Sequence, residues 1–393
     1  MSSMFEPVMI GKIEIKNRFV HSATHEAMSA DDGSITDDII NRYIKLAKGD
    51  IGLIIPGHLY IHPLGKANNN QSGIHSDSMI PGLRKLVKAV HANNGKIAFQ
   101  LDHGGRQSPR KIIGQAPLAP TNKGIDPVSL NKPIRMGENQ ILRTIEDFGS
   151  AAQRARKAGA DAVQLHAGHG FLINEFLSPF FNHRKDSWGG SEVGRFQFLK
   201  EIVIKVREEL TDDIPVLVKL NANDFTPNTG ITPDLAAKYA KWLVELGIAS
   251  IEVTCGTYYG FQTIRGEIPG AELVRALPFW MRPAARLKMK YQSHSNRFKE
   301  AYNLTAAKTI KPFLNGTPLI LVGGVRRLDQ MEKLVSDGTV DMISMSRPFI
   351  REPSLVRRFS KGKAIESSCI SCNKCFAAMF NEIPIRCYQK GMS

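Results

Sequence analysis

Long apolar runs are missing from this 393-residue chain. No stretch approaches the roughly 18 consecutive apolar residues of a membrane span, so no membrane partner is expected. The opening MSSMFEPVMIGK has no basic segment leading into an apolar one; no secretory signal is expected, and the expected location is cytoplasmic. Basic runs interleaved with aromatics are absent too. Lys and Arg outnumber Asp and Glu by 52 to 37, but the cations are spread over most of the helix-like segments. That pattern argues against nucleic acid and for a basic soluble enzyme, with phosphorylated, carboxylated or CoA-linked small molecules as suitable ligands. Cysteine is scarce: of five, Cys255 stands alone, while Cys369, Cys372, Cys375 and Cys387 crowd the last 25 residues. Without a secretory context, such a cluster reads as metal binding before disulfides.

What the chain does have is a repeated strand–helix rhythm. Short apolar, β-branched runs recur at 19–24, 52–58, 96–102, 162–167, 216–222, 250–256, 319–324 and 342–347. Between them lie amphipathic segments such as ITDDIINRYIKLAKG and TPDLAAKYAKWLVELG, opened by Thr, Ser or Asp and closed by Gly, as helix caps require. Strands of nearly continuous apolar character suit parallel pairing with both faces buried. Eight such units predict an α/β fold, a (β/α)8 TIM barrel at 1–363, with a short cysteine-rich extension at 364–393. A doubly wound sheet is the alternative, but it calls for a Gly-rich phosphate loop after the first strand, and VHSATHEA supplies none.

In a barrel every strand's C-terminal end opens into one mouth. The polar residues there are Thr24 and His25, His58, Gln100 and His103, His166 and His169, Lys219 and Asn221, Cys255, Gly323 and Gly324, Ser346 and Arg347. The last two strands end in Gly-Gly and Ser-Arg, which suits a phosphate held by backbone N–H groups and a guanidinium. His166-x-x-His169 could equally be two metal ligands with a third from His25, His58 or His103, or a pair of packed core histidines.

The segments NRFVHSAT, FQLDHGGRQ, LHAGHGFLINEFLSPFFNHRKDSWGGS, LVGGVRR and SMSRPFIREP occur in order along the whole chain. Together they resemble the old yellow enzyme-type flavin oxidoreductases, closest to the branch of 2,4-dienoyl-CoA reductase and trimethylamine dehydrogenase. The resemblance implies an FMN-binding barrel that passes hydride from the flavin to an activated C=C bond; a flavin dehydrogenase acting on an amine and a metal-dependent hydrolase or lyase are the alternatives. By position it implies that Ala23 and Thr24 touch the isoalloxazine, that Gly57 and His58 approach its O4–N5 edge and that Gln100 bonds its pyrimidine ring. Lys219 stands where the family has an arginine near N1, and Gly323, Gly324, Ser346 and Arg347 would hold the ribityl phosphate.

On this pattern His166 and His169 donate hydrogen bonds to a substrate oxygen and stabilise a developing enolate. Phe171 departs from the family, which has a proton-donating tyrosine at this place. His25, Cys255, Tyr258 and Tyr259 are candidates to substitute, His25 foremost because it follows the flavin-contacting stretch.

The spacing Cys369-x2-Cys372-x2-Cys375-x11-Cys387 favours a [4Fe–4S] cluster over paired zinc knuckles, with a Zn(Cys)4 site or a metal-free vestige as alternatives. It also resembles the cluster segment that follows the barrel in the two relatives named. No G-x-G-x-x-G follows a late strand, so no Rossmann domain is expected before Ser393. Electrons would then come from NAD(P)H at the FMN, or from an electron-transfer partner protein through the cluster. A homo-oligomer acting on a small-molecule substrate is the expected form.

Overall fold

Runs such as KIAFQLD, AVQLHA and VLVKLN are buried almost end to end, and they form the strands of a closed parallel sheet. The computed structural model describes residues 3–126, 130–258, 263–277, 279–294 and 296–391. The strands are β1 (Phe19–His21), β2 (Leu53–Ile54), β3 (Lys96–Asp102), β4 (Ala162–Ala167), β5 (Val216–Asn221), β6 (Ser250–Thr254), β7 (Leu319–Val322) and β8 (Met342–Met345). Each pairs in parallel with the next, and β8 returns to β1 through Ile343↔Phe19, Ser344↔Val20 and Met345↔His21, so the sheet closes into a barrel. All eight strands read from the sequence are present, several shorter than their apolar runs.

Helices fill the intervals and pack outside the barrel. Caps set their starts: the Thr36 hydroxyl accepts from Ile39 N ahead of Asp37–Lys48, and Thr232 accepts from Leu235 N ahead of Pro233–Glu245. The helix Glu138–Ala158 begins six residues before the TIEDFG segment, because Gln140 Oε1 accepts from Gly137 N at 2.9 Å and closes the extra turns.

The barrel interior is layered. Val20, Leu53, Ala98, Ala162, Leu217, Ile320 and Met342 fill its lower part together with Ile10 and Ile15. Those two isoleucines come from a hairpin, Val8–Ile10 with Ile13–Ile15, whose pairing is too short to stand out in the sequence. Two residues further along β1, β3, β4, β5 and β8 the inward positions turn polar, as Ser22, Gln100, Gln164, Lys219 and Ser344. Gln100 lies opposite Gln164, and Lys219 opposite Glu252. The apolar layer seals one end, so the chemistry is confined to the other.

The cysteine-rich segment folds back over that other end and carries the helix Lys374–Phe380. Ile385 N donates to Glu26 O at 2.8 Å, Ser367 N to Arg326 O at 3.0 Å, and the Phe380 ring meets Tyr258 edge-on. Among the described residues of the excursion after β6, Tyr258, Thr263, Ile264, Phe298, Tyr302 and Asn303 face the cleft. Its helix Arg282–Ser293 buries no side chain, and Trp280, Leu287 and Tyr291 stand exposed.

Candidate active site

A solvent-open cleft of about 1230 Å³ occupies the C-terminal end of the barrel. Its floor is the polar layer. Lys219 Nζ, at the inward-facing centre of β5, donates to Ser22 Oγ at 2.7 Å and to Glu252 Oε1 at 3.2 Å. Glu252 is fully buried and also accepts from Ser22 Oγ (2.8 Å), Ser344 Oγ (2.8 Å) and Gln164 Nε2 (2.9 Å). Burial pushes its carboxyl up, but Lys219 and these donors outweigh that and hold it below the ordinary value. Gln100 Nε2 extends the chain to Gln164 Oε1 at 2.6 Å.

One layer higher stand four histidines. Alternation along β4 points Gln164 into the floor and His166 into the cleft above it. The His166 ring lies 5.2 Å from His169 and 6.0 Å from His58, and His58 lies 6.0 Å from His25. His169 follows β4 at φ 61 with Gly170 at φ 80, a left-handed pair rarely tolerated by a side-chain-bearing residue. Two amides hold this turn: Gln107 Nε2 donates to His169 O (2.8 Å), and Asn174 Oδ1 accepts from Gly170 N (2.6 Å). The turn aims His169 Nε2 at Thr254 Oγ1, 2.8 Å away. His166 Nδ1 is buried with no hydrogen-bond partner. Burial, then His169 and His58, holds the His166 ring well below its ordinary pKa. Burial, then Lys219, lowers His169 to about 3. Both rings are therefore neutral at pH 7, each with one N–H to offer. Phe171 packs against this group, 4.8 Å from His166 and 5.1 Å from His58.

The opposite rim carries Gly323, Gly324, Ser346 and Arg347. Both glycines have positive φ, 129 and 79. A Cβ on Gly323 would stand 2.6 Å from Asn303 Nδ2, and one on Gly324 2.7 Å from the Tyr302 ring. Thr24 Oγ1 bonds Ser346 Oγ at 2.7 Å, tying the end of β1 to the end of β8. Arg347 Nη1 donates to Arg265 O and Asn373 Oδ1, so the guanidinium joins the rim to the cysteine-rich segment.

The structure thus brings Ala23, Thr24, His25, His58, Gln100, His166, His169, Lys219, Gly323, Gly324, Ser346 and Arg347 into one cleft, together with Tyr258. Gly57 is turned away: its N–H donates to Glu26 Oε1 at 2.7 Å, and a Cβ there would strike that carboxylate. His103 and Cys255 are buried behind the wall, where burial raises the Cys255 thiol to about 12; Tyr259 lies outside the described residues. Cys369, Cys372, Cys375 and Cys387 all line a second, smaller cavity of about 310 Å³. Arg347, Ile350, Cys369 and Cys375 line both cavities. Among the described residues no three His, Cys, Asp or Glu side chains converge where one metal ion could be held.

Sequence reasoning passed over Glu252 and Asp102. Both were signalled: each is a carboxylate on an inward-facing position of a strand buried almost end to end. Asp102 lies two residues beyond Gln100, on the same face.

Residues 3–366 match the NADH:flavin oxidoreductase / NADH oxidase family. The chain is 30% identical over 394 residues to the NADH oxidase of Thermoanaerobacter brockii, covering 98% of this chain and 55% of that protein. It is also 30% identical over 382 residues to the 4,4'-dithiodibutanoate disulfide reductase of Rhodococcus erythropolis, covering 96% and 93%. Among solved structures, 2-naphthoyl-CoA reductase with 2-naphthoyl-CoA superposes with a TM-score of 0.86 at 26% identity, over 98% of this chain and 56% of that one. The chain spans about half the length of the first and third of these, and nearly all of the second. With a barrel of matching architecture and a family match along almost its full length, the chain belongs to the NADH:flavin oxidoreductase / NADH oxidase family.

Proposed function

We propose that this chain is an FMN-dependent oxidoreductase that reduces an activated C=C bond in an enone, enoate or enoyl-CoA-like substrate, and that its cysteine-rich segment holds a [4Fe–4S] cluster. The observation that carries the reading is the pair of neutral histidines in the cleft wall, one of them with a buried ring nitrogen that no group among the described residues satisfies. Buried polar atoms are rarely left unpaired, so such an atom at a cleft marks where a ligand's polar group belongs.

The residues present fit FMN. Lys219 sets an ammonium at the floor, Gln100 an amide beside it, and Arg347 with the positive-φ glycines forms a rim suited to a phosphate. When bound, FMN supplies the hydride.

The chain's own groups do the rest. His166 and His169 donate to the substrate's carbonyl or carboxylate oxygen and draw electron density from the conjugated bond; such preorganised donors are worth roughly 100- to 1,000-fold each. Thr254 and the left-handed turn fix the direction in which His169 points. The Lys219 charge, steadied by Glu252, favours negative charge on whatever sits above the floor. A hydrolase using the histidines as ligands finds no support in a site where, among the described residues, no three candidate ligands converge.

The x2-x2-x11 spacing of Cys369, Cys372, Cys375 and Cys387 favours a cluster over zinc, and all four line one small cavity. NAD(P)H, or a partner protein acting through the cluster, would supply the electrons.

The test is direct. Anaerobically purified protein should show flavin absorbance near ~450 nm. Once photoreduced, it should be reoxidised by at least one member of a panel of enones, enoates and enoyl-CoA thioesters. A colourless protein, or a reduced flavin that no alkene reoxidises, sinks the reading.

A further inference from the structure

Hydride addition to a polarised C=C bond leaves an electron pair on the α-carbon that must take up a proton. Phe171, buried between His58 and His166, has none to give. We propose that His58 donates this proton from Nε2, with Asp102 as its positioning partner; the inference rests on the alkene-reducing reading above.

The geometry carries it. His58 follows β2 and lines the cleft against the Phe171 ring, 5.1 Å away. Its Nδ1 lies 2.8 Å from Asp102 Oδ2, at the end of β3. Gln71 Nε2 sits 3.0 Å from the same ring nitrogen and donates to the His58 carbonyl at 3.2 Å, which fixes the residue from behind. With Nδ1 committed to the carboxylate, Nε2 is the nitrogen left for the cleft.

Electrostatics point the same way. Asp102 is 1% exposed; burial pushes its carboxyl up, and the hydrogen bond and charge of His58 pull it back. A lone carboxylate at that depth is strongly disfavoured, so burial favours a proton held between Asp102 Oδ2 and His58 Nδ1. The other rings facing His58 have no such partner. His25 and His166 each lie 6.0 Å away, and neither pairs with a carboxylate among the described residues. Burial holds His25 at about 3 and His166 well below its ordinary value, so each keeps to its neutral form at pH 7.

The step balances. Hydride forms a C–H bond at the β-carbon as the π bond breaks, and the freed pair moves to the α-carbon and the oxygen held by His166 and His169. The Nε2–H bond of His58 then breaks as the α C–H bond forms. Nδ1 keeps the proton it shares with Asp102, and solvent replaces the one spent, so the alkene gains one hydride and one proton.

The test mixes photoreduced holoenzyme with the best alkene from the panel and follows flavin reoxidation in stopped flow. His58→Gln should slow that step by roughly 100- to 10,000-fold, the usual weight of a general acid. Reoxidation by ferricyanide, which takes electrons without protonating carbon, should change less than threefold. Adding Phe171→Tyr to His58→Gln should recover at least tenfold with the alkene, because the new hydroxyl extends from a ring in contact with the same site. A readout independent of turnover is the His58 Nδ1 proton in NMR of the resting protein: downfield in the wild type, moved upfield in Asp102→Asn and missing in His58→Gln. Equal slowing with alkene and ferricyanide, an unslowed His58→Gln, a double variant without recovery, or no such proton in the wild type each overturns the assignment. Failure of the wild type to reduce any alkene would instead remove the reading beneath it.

Discussion

Glu252→Gln is the sharpest single test of the cleft floor. The substitution keeps the side chain's shape and one oxygen acceptor for Ser22 and Ser344, but turns the oxygen that Gln164 donates to into an NH2 and removes the charge that Lys219 faces at 3.2 Å. Lys219 and Glu252 are 3% and 0% exposed, so the ammonium would be left without its counter-ion in the barrel interior. Breaking one partner of such a pair costs about 3–5 kcal/mol. With a urea m-value of about 3 kcal/mol/M, the unfolding midpoint should fall by roughly 1–1.7 M at pH 7. Glu252→Gln with Lys219→Met removes both charges and should recover most of that loss, because a buried pair exchanged for neutral groups is often close to neutral in stability. The effect should also depend on pH. The folded-state pKa of Glu252 lies below the ordinary 4.5, so its stabilisation is fully present above that value and disappears as pH falls through the depressed folded value. The gap between wild type and Glu252→Gln should therefore shrink in acid. Strictly additive single and double variants, or a gap that stays constant from pH 7 into acid, would refute the reasoning.

Three further outcomes follow from the same geometry. His166→Ala and His169→Ala should each lower the rate of alkene reduction by about 100- to 1,000-fold while the purified protein keeps its flavin band, read by stopped-flow absorbance. Gly323→Ala forces a Cβ against Asn303 Nδ2 at a φ of 129, so it should lose about 1–3 kcal/mol of stability and bind FMN more weakly, measured by urea unfolding and flavin titration. Cys372→Ser should lower the iron and acid-labile sulfide recovered from anaerobic protein far below four of each per chain; zinc in stoichiometric amount in the wild type would contradict the cluster.

Much of this architecture was open to sequence reasoning, for a physical reason. Strands buried on both faces must be apolar along their length, so KIAFQLD, AVQLHA and VLVKLN announced themselves, and the polar residues at their ends marked the mouth. The hairpin under the barrel was not legible, because three-residue strands carry too little periodicity. Glu252 was hidden by its own surroundings: a single carboxylate in SIEVT reads as an interruption until its partners arrive from β1, β4, β5 and β8. The segment ALPFWMRPAARLKMKYQ was not legible, because aromatics and cations look alike in a pocket wall and on an open surface; only packing separates them, and here Trp280, Leu287 and Tyr291 are exposed.

The wall shared by the two cavities has a thermodynamic consequence. Arg347, Ile350, Cys369 and Cys375 belong to both, and the Arg347 guanidinium reaches Asn373 in the cysteine-rich segment from the rim of the cleft. Any ligand that orders this wall from one side lowers the ordering entropy remaining for a ligand on the other. Such coupling is reciprocal: the factor by which an occupied cleft tightens the cysteine site equals the factor by which an occupied cysteine site tightens the cleft.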